Sequence, residues 1–179
     1  MLKGNKVVLR PVRRSDLPDF LRWFNDPEVT QYLGIYLPMT EMVEDKWIES
    51  LGTTRLLTDV LFIIEAIEEI GTKAIGDTGL MSINAKDHNA VFGIAIGEKD
   101  YWSKGYGTEA ARLLVKYGFE QLNLHRITSG AIAFNERSIR MHKSVGFKEE
   151  GRQRDFIYRN GKFNDHVLFG MLKEEWSGA

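Results

Sequence analysis

The sequence contains no cysteine. Disulfides, thiolate nucleophiles and cysteine-based metal sites are therefore excluded. Histidine is scarce: the four present, His88, His125, His142 and His166, show no metal-ligand spacing, and no metal is expected. Charge of neither sign is in excess, with 24 Lys+Arg against 25 Asp+Glu and a net charge of −1. Such a balance gives no overall drive toward nucleic acid or an anionic membrane surface. No apolar run approaches the length of a membrane span. No signal peptide is visible, because Met1 to Arg14 carries five basic residues and lacks apolar length. The expectation is a cytoplasmic protein. No repeat, low-complexity tract or linker interrupts the 179 residues, so one domain spanning 1–179 is expected.

What is present centres on the stretch from Tyr101 to Ala111. It joins an apolar, strand-like run (Ala90 to Ile96) to a helix-like run (Thr108 to Leu122). Lys104, Gly105 and Gly107 sit where that helix begins. The glycines allow close backbone approach and conformations that a Cβ forbids. The first helical turn offers unpaired N–H groups and the positive end of the dipole, and together these make an anion site suited to phosphate. Gly105 to Ala110 also reads as G-x-G-x-x-A, a dinucleotide fingerprint. Against that reading, the strand ends well before the first glycine, no acidic residue closes the next strand (Arg126 to Ala133), and no alternating βα units precede the loop. A Walker loop is excluded because Lys104 precedes its glycine.

The rest of the chain supplies a sheet around this loop. Lys6 to Arg10 reads as a first strand stopped by Pro11. Ser15 caps a helix bearing Leu17, Phe20, Leu21 and Phe24, and Pro27 opens a short second helix. Thr40 caps a third helix, Glu41 to Leu51, whose outer face carries Glu41, Glu44, Asp45 and Glu49. Val60 to Ala66 and Ala74 to Ile83 read as antiparallel strands leading into Ala90 to Ile96. After the glycine loop, apolar or small residues at 111, 114, 115, 118, 119 and 122 form one helical stripe. Strand, helix and strand with short joints imply a parallel crossover. Asn160-Gly161 signals a closing hairpin. The predicted fold is α+β: a mixed, mostly antiparallel sheet of about seven strands with one splayed parallel pair, flanked by about four or five helices.

With strand, glycine loop and helix in that order, the chain resembles the GNAT acetyltransferases. The likeness continues from Asn135 to Phe147, which is similar to that family's second cofactor segment. The segments Leu9 to Pro11, Asp16-Leu17, Trp23, Asn25 to Glu28, Gly161-Lys162, Asp165 and Glu174 to Trp176 resemble the branch that acetylates ribosomal-protein N-termini. The resemblance implies acetyl-CoA as donor and an amine as acceptor: a peptide N-terminus, or a polyamine or aminoglycoside as the alternative. A CoA-binding module of weak activity is the alternative of another class, and a homodimer is compatible with all three. The resemblance further implies that backbone groups of Ile94, Ala95 and Ile96 hold the pantetheine arm, that backbone N–H groups of Lys104, Gly105, Tyr106, Gly107 and Thr108 hold the pyrophosphate, and that Trp102 and Ser103 belong to the same cofactor site. Asn135 and Ser138 would contact the pantetheine.

Two positions depart from the family pattern: Trp102 stands where Gln or Arg is common, and His142 where a general-acid Tyr is common. A histidine there could protonate the leaving thiolate. Asn135, Ser138 and His142 recur at i, i+3 and i+7 and so share one helix face. For a general base the candidates are Glu98, just after the cofactor strand, and Glu65, near the end of a central strand. Glu28 could face the substrate. Asp165 lies between Phe163 and Val167 on an apolar face of the terminal hairpin, where it is either a substrate contact or the partner of an arginine. The acidic third helix could attract a polycation.

Overall fold

The structure, a computed structural model, describes residues 1–178. Eight strands form one sheet: β1 (Leu2–Lys3), β2 (Val7–Pro11), β3 (Val60–Ile67), β4 (Thr72–Asn84), β5 (Asn89–Ile96), β6 (Arg126–Ile132), β7 (Lys148–Arg159) and β8 (Lys162–Leu172). Their order is β1-β2-β3-β4-β5-β6-β8-β7, antiparallel everywhere except between β5 and β6. The strand beyond the expected seven is β1, whose two residues are too short a run to show a period. Five α-helices accompany the sheet: α1 (Leu17–Phe24), α2 (Pro27–Thr30), α3 (Glu41–Leu51), α4 (Tyr106–Glu120) and α5 (Glu136–Val145).

Helix α4 is the crossover between the parallel strands. Its buried stripe of Ala110, Ala111, Leu114, Val115, Gly118 and Phe119 lies in the main core, against Leu80, Phe92 and Ile127 among others. Gly118 permits that close approach, since a Cβ there would stand 3.0 Å from both Leu80 and Ile127. A second core places Phe20 and Trp23 of α1 and Ile48 of α3 over Ile63. The Asn160-Gly161 turn joins β7 to β8 with both residues at positive φ, 53° and 77°, as a tight hairpin requires.

Local details differ from expectation in instructive ways. Ser15 does not cap α1; it lies in a 3-10 turn, Arg14–Asp16, and Asp16 stands at the head of the helix, where Arg10 binds it. Glu44 is not on the outer face of α3. It is 2 % exposed, because the helix buries it together with Ile48 one turn later. Thr40 does cap α3, accepting from the Val43 N–H.

Candidate active site

Strands β5 and β6 run paired only from Asn89 to Val91 against Arg126 to Thr128, and then diverge. The antiparallel partner β4 takes alternate residues of β5: Gly97 donates to the Ile75 carbonyl, so Ala95 and Gly93 also face β4. Phe92, Ile94 and Ile96 therefore point their backbone groups into the gap. Ser129 spans its apex, with its Oγ 3.0 Å from the Phe92 carbonyl, within reach of a hydrogen bond. The gap opens into a cleft of about 380 Å³ lined by Phe92 to Ile96, Ser129 to Ala131, the loop before α4 and the first turns of α5.

The loop ends at Gly105, whose φ of +88° only glycine adopts readily, and α4 starts at Tyr106. No side chain caps this helix. The N–H groups of Tyr106, Gly107 and Thr108 are thus left for a ligand, with the positive end of a 15-residue helix behind them. Gly107 is not needed by the fold: a Cβ there would make only ordinary contacts, 3.6 Å or more, with Ile94 and Ile96. What its absence leaves is room in the cleft. Two lysines flank the loop, Lys104 within it and Lys6, whose Nζ donates to the Lys104 carbonyl at 2.9 Å. Glu109, in the first turn of α4, fixes this corner by accepting from the N–H groups of Asn5, Lys6 and Val7. Both Lys6 and Glu109 act across about a hundred residues of chain, and no local pattern announces them.

Aromatic rings line the mouth of the cleft. Trp102 donates from its indole nitrogen to the Ile96 carbonyl at 2.7 Å. The Arg137 guanidinium lies 4.1 Å from the Trp102 ring centroid and 5.0 Å from that of Tyr32. Among the described residues no carboxylate pairs with Arg137, so Trp102 positions a cation at the cleft. The other wall is Val29, Tyr32, Leu33 and Gly34. Arg159 of the terminal hairpin holds that segment by donating to the carbonyls of Leu33 and Ile35.

Asn135, Ser138 and His142 come together as their spacing predicts. Asn135 caps α5, accepting from the Ser138 N–H at 3.1 Å, and all three line the cleft. His142 is 1 % exposed and stacks on Phe169, with ring centroids 4.6 Å apart. Its Nδ1 lies 2.8 Å from the Ser138 carbonyl and its Nε2 2.8 Å from Ser129 Oγ. Burial pushes its pKa below the usual histidine value, against the smaller opposing pull of the Ser138 carbonyl. Ser129 is a site residue that sequence reasoning missed. Its signal was a hydroxyl in the inward series Ile127, Ser129, Ala131.

The four expected carboxylates lie elsewhere. Glu65 accepts from Arg10 Nε at 2.6 Å and from Thr72. Glu98 accepts from the Trp23 indole at 2.8 Å and pairs with Arg22, outside the cleft. Burial favours its neutral form, but those two hydrogen bonds hold its pKa below the ordinary value. Glu28 is paired with Lys99 at 3.0 Å on the surface. Among the described residues no arginine side chain binds Asp165; it accepts from the Asp155 N–H, where β7 is irregular. Among the described residues, no aspartate or glutamate lines the cleft, and no cluster of His, Asp and Glu is arranged to hold a metal. Among the described residues no helix is long and apolar enough to cross a membrane.

Residues 6–148 match the family model for the acetyltransferase (GNAT) domain. YdaF of Bacillus subtilis (strain 168), named provisionally as a ribosomal N-acetyltransferase, is 38% identical over 58% of this chain and 56% of its own. The spermidine N(1)-acetyltransferase of Escherichia coli (strain K12) is 29% identical over 98% of this chain and 91% of its own. Among solved structures, the spermidine N-acetyltransferase of Vibrio cholerae in complex with CoA and spermine superposes with a TM-score of 0.86. That match covers 96% of this chain and 98% of that one at 22% identity.

Proposed function

The chain belongs to the GNAT acetyltransferases, and from that premise we propose that it moves the acetyl group of acetyl-CoA to the N-terminal amine of a protein or peptide. The residues fit the donor. The free N–H groups of Tyr106, Gly107 and Thr108 suit its pyrophosphate, and Lys6, Lys104 and Arg137 suit its negative charge. The edge of β5 left open by β6, the backbone groups of Ile94 and the N–H of Ile96, suits the pantetheine amides, which can pair there as an added strand would. An N–H of the same edge would stabilise the oxyanion formed at the thioester, a contact worth about 3 kcal/mol in a dry site. Holding both substrates in one cleft contributes more, on the order of 7–11 kcal/mol, and supports direct attack without a covalent intermediate.

The acceptor class rests on one observation: the far wall of the cleft, Val29, Tyr32, Leu33 and Gly34, is uncharged, and among the described residues no carboxylate lines the cavity. A single neutral amine with a small neighbour suits such a wall. An α-amine has an ordinary pKa near ~8, so a useful fraction is already neutral at physiological pH. A polyamine brings further charges that the lining does not meet. The second reading, a polyamine acceptor, is supported by the spermidine-acetylating relatives and by the acids of α3.

Mass spectrometry of the purified protein with acetyl-CoA and a mixed panel tests this. The panel holds alanine- and serine-start peptides, spermidine and an aminoglycoside. An acetylated peptide is the expected product. Acetylspermidine as the dominant product would move the assignment to the second reading.

A further inference from the structure

A cleft without a carboxylate raises the question of where the attacking amine leaves its proton. The hydrogen bonds around His142 answer it. The Ser138 carbonyl only accepts, so Nδ1, 2.8 Å away, carries the ring proton. In the neutral ring Nε2 is then a bare lone pair, aimed at Ser129 Oγ. The opposite tautomer would set the lone pair of Nδ1 against that of the carbonyl. The remaining surroundings of the ring are the Ser138 hydroxyl, 3.4 Å from Nδ1 and so a weaker partner than the carbonyl at 2.8 Å, and Phe92 from β5, Phe169 from β8 and Phe147 after α5, all uncharged. The resting imidazole therefore takes a proton and has none to give at Nε2, the reverse of the general-acid role expected for this position.

We propose that Ser129 is a catalytic residue that passes the proton of the acceptor amine to His142 and then returns it to the leaving sulfur. The proposal rests on the acetyl-transfer reading above. As the nitrogen–carbon bond forms, the amine proton moves to Ser129 Oγ while the hydroxyl proton moves to His142 Nε2. As the carbon–sulfur bond breaks, the sulfur takes the hydroxyl proton and Nε2 restores it. The amine loses one proton, the thiolate gains one, and the protein ends as it began. Both states of the relay are satisfied in place. With His142 neutral, Ser129 donates to Nε2. With His142 charged, Nε2 donates to Ser129, and the hydroxyl proton turns to the Phe92 carbonyl 3.0 Å away. No backbone movement is required between them.

The test uses the full chain and an acceptor found active in the panel. Ser129→Ala is expected to lower kcat by about 10²-fold or more, the usual scale for a proton-transfer group, with CoA affinity by calorimetry unchanged. His142→Gln is expected to lower kcat similarly and to erase the acid limb of its pH profile, while the limb set by acceptor ionisation stays. Nitrogen-15 NMR of histidine-labelled wild type needs no variant to fold: it should show Nδ1 protonated and Nε2 bare at pH 8. Ser129→Ala within about threefold of wild type, or an Nε2-protonated neutral ring, overturns the relay and leaves the acetyl-transfer reading standing. A wild type that binds CoA and acetylates no amine overturns that reading and the relay with it.

Discussion

Two buried polar networks in this molecule are built from opposite materials. Under α1, the Arg10 guanidinium grips both oxygens of Asp16 at 2.7 and 2.8 Å and Glu65 at 2.6 Å, and Asp16 also accepts from the Arg13 N–H. Beside the splayed strands, the Ser138 carbonyl, His142 and Ser129 form a chain without a formal charge. In the first, burial favours a neutral Asp16, but the bonds from Arg10 and Arg13 outweigh it and hold the carboxyl below its ordinary pKa. Its charges are locked and fix β2, β3 and α1 together. In the second, burial holds the imidazole neutral and nothing charged pins the proton. A charged knot holds parts in place; a neutral chain can hand a proton along. That difference suits the first to fold stability and the second to the proposed proton transfer.

The largest effect should come from breaking the charged knot. Arg10→Met leaves Asp16 and Glu65 buried without their partner, and is expected to cost about 3–5 kcal/mol in denaturant unfolding. Turnover per folded molecule should stay near wild type; a comparable loss of turnover would mean that the two networks are not separate.

A third arrangement sharpens the contrast, because its acids, Glu44 buried and Asp77 half-buried, have no cation beside them among the described residues. Glu44 Oε1 and Asp77 Oδ1 are sealed from solvent and have no hydrogen-bond partner. Burial lifts Glu44 to about 7, and burial plus the facing charge of Glu44 lifts Asp77 to about 7. In the window from the ordinary carboxyl pKa to about 7, the folded chain holds protons that the unfolded chain has released. Stability should therefore fall as pH rises through that window. Asp77→Asn should flatten the slope in chemical denaturation measured from pH 5 to 7.5. A slope unchanged in that variant would remove Asp77 from the account.

Smaller again is the effect of crowding the anion loop. Gly107→Ala should leave the free energy of unfolding unchanged or slightly higher, by ~0.4–1 kcal/mol. It should weaken CoA by about tenfold, ~1.4 kcal/mol, in calorimetry. Equal affinity would mean that no ligand uses the space beside residue 107. Least of all should be Glu136→Gln, which removes an exposed i,i+4 pair with Arg140. A change within about 0.5 kcal/mol is expected, as is usual for such pairs. A larger loss would undercut burial as the feature that separates the networks.

The sheet's centre, the glycine loop and the closing hairpin were legible because each rests on local chemistry: alternation in β5, glycines at 105 and 107, and Asn160-Gly161. The face shared by Asn135, Ser138 and His142 was legible from helical spacing alone. The Arg10 knot was not, since it depends on the register that sets Arg10 beside Ile63, a pairing across more than fifty residues. Glu44 was misread because an acidic stretch looks like a solvated face until the packing of α3 is known. Glu65 and Glu98 attracted attention by lying near strand ends, yet each is tied to an arginine that sequence alone could not bring to it. The direction of proton flow at His142 became readable only when the Ser138 carbonyl and Ser129 fixed its tautomer.

The most direct test of the whole account is a crystal structure of the protein with coenzyme A. The pyrophosphate should lie on the N–H groups of Tyr106 to Thr108, the pantetheine along Ile94 and Ile96, and the sulfur within reach of Ser129 Oγ. A nucleotide lodged elsewhere, or a thiol pointing away from the gap between β5 and β6, would contradict it.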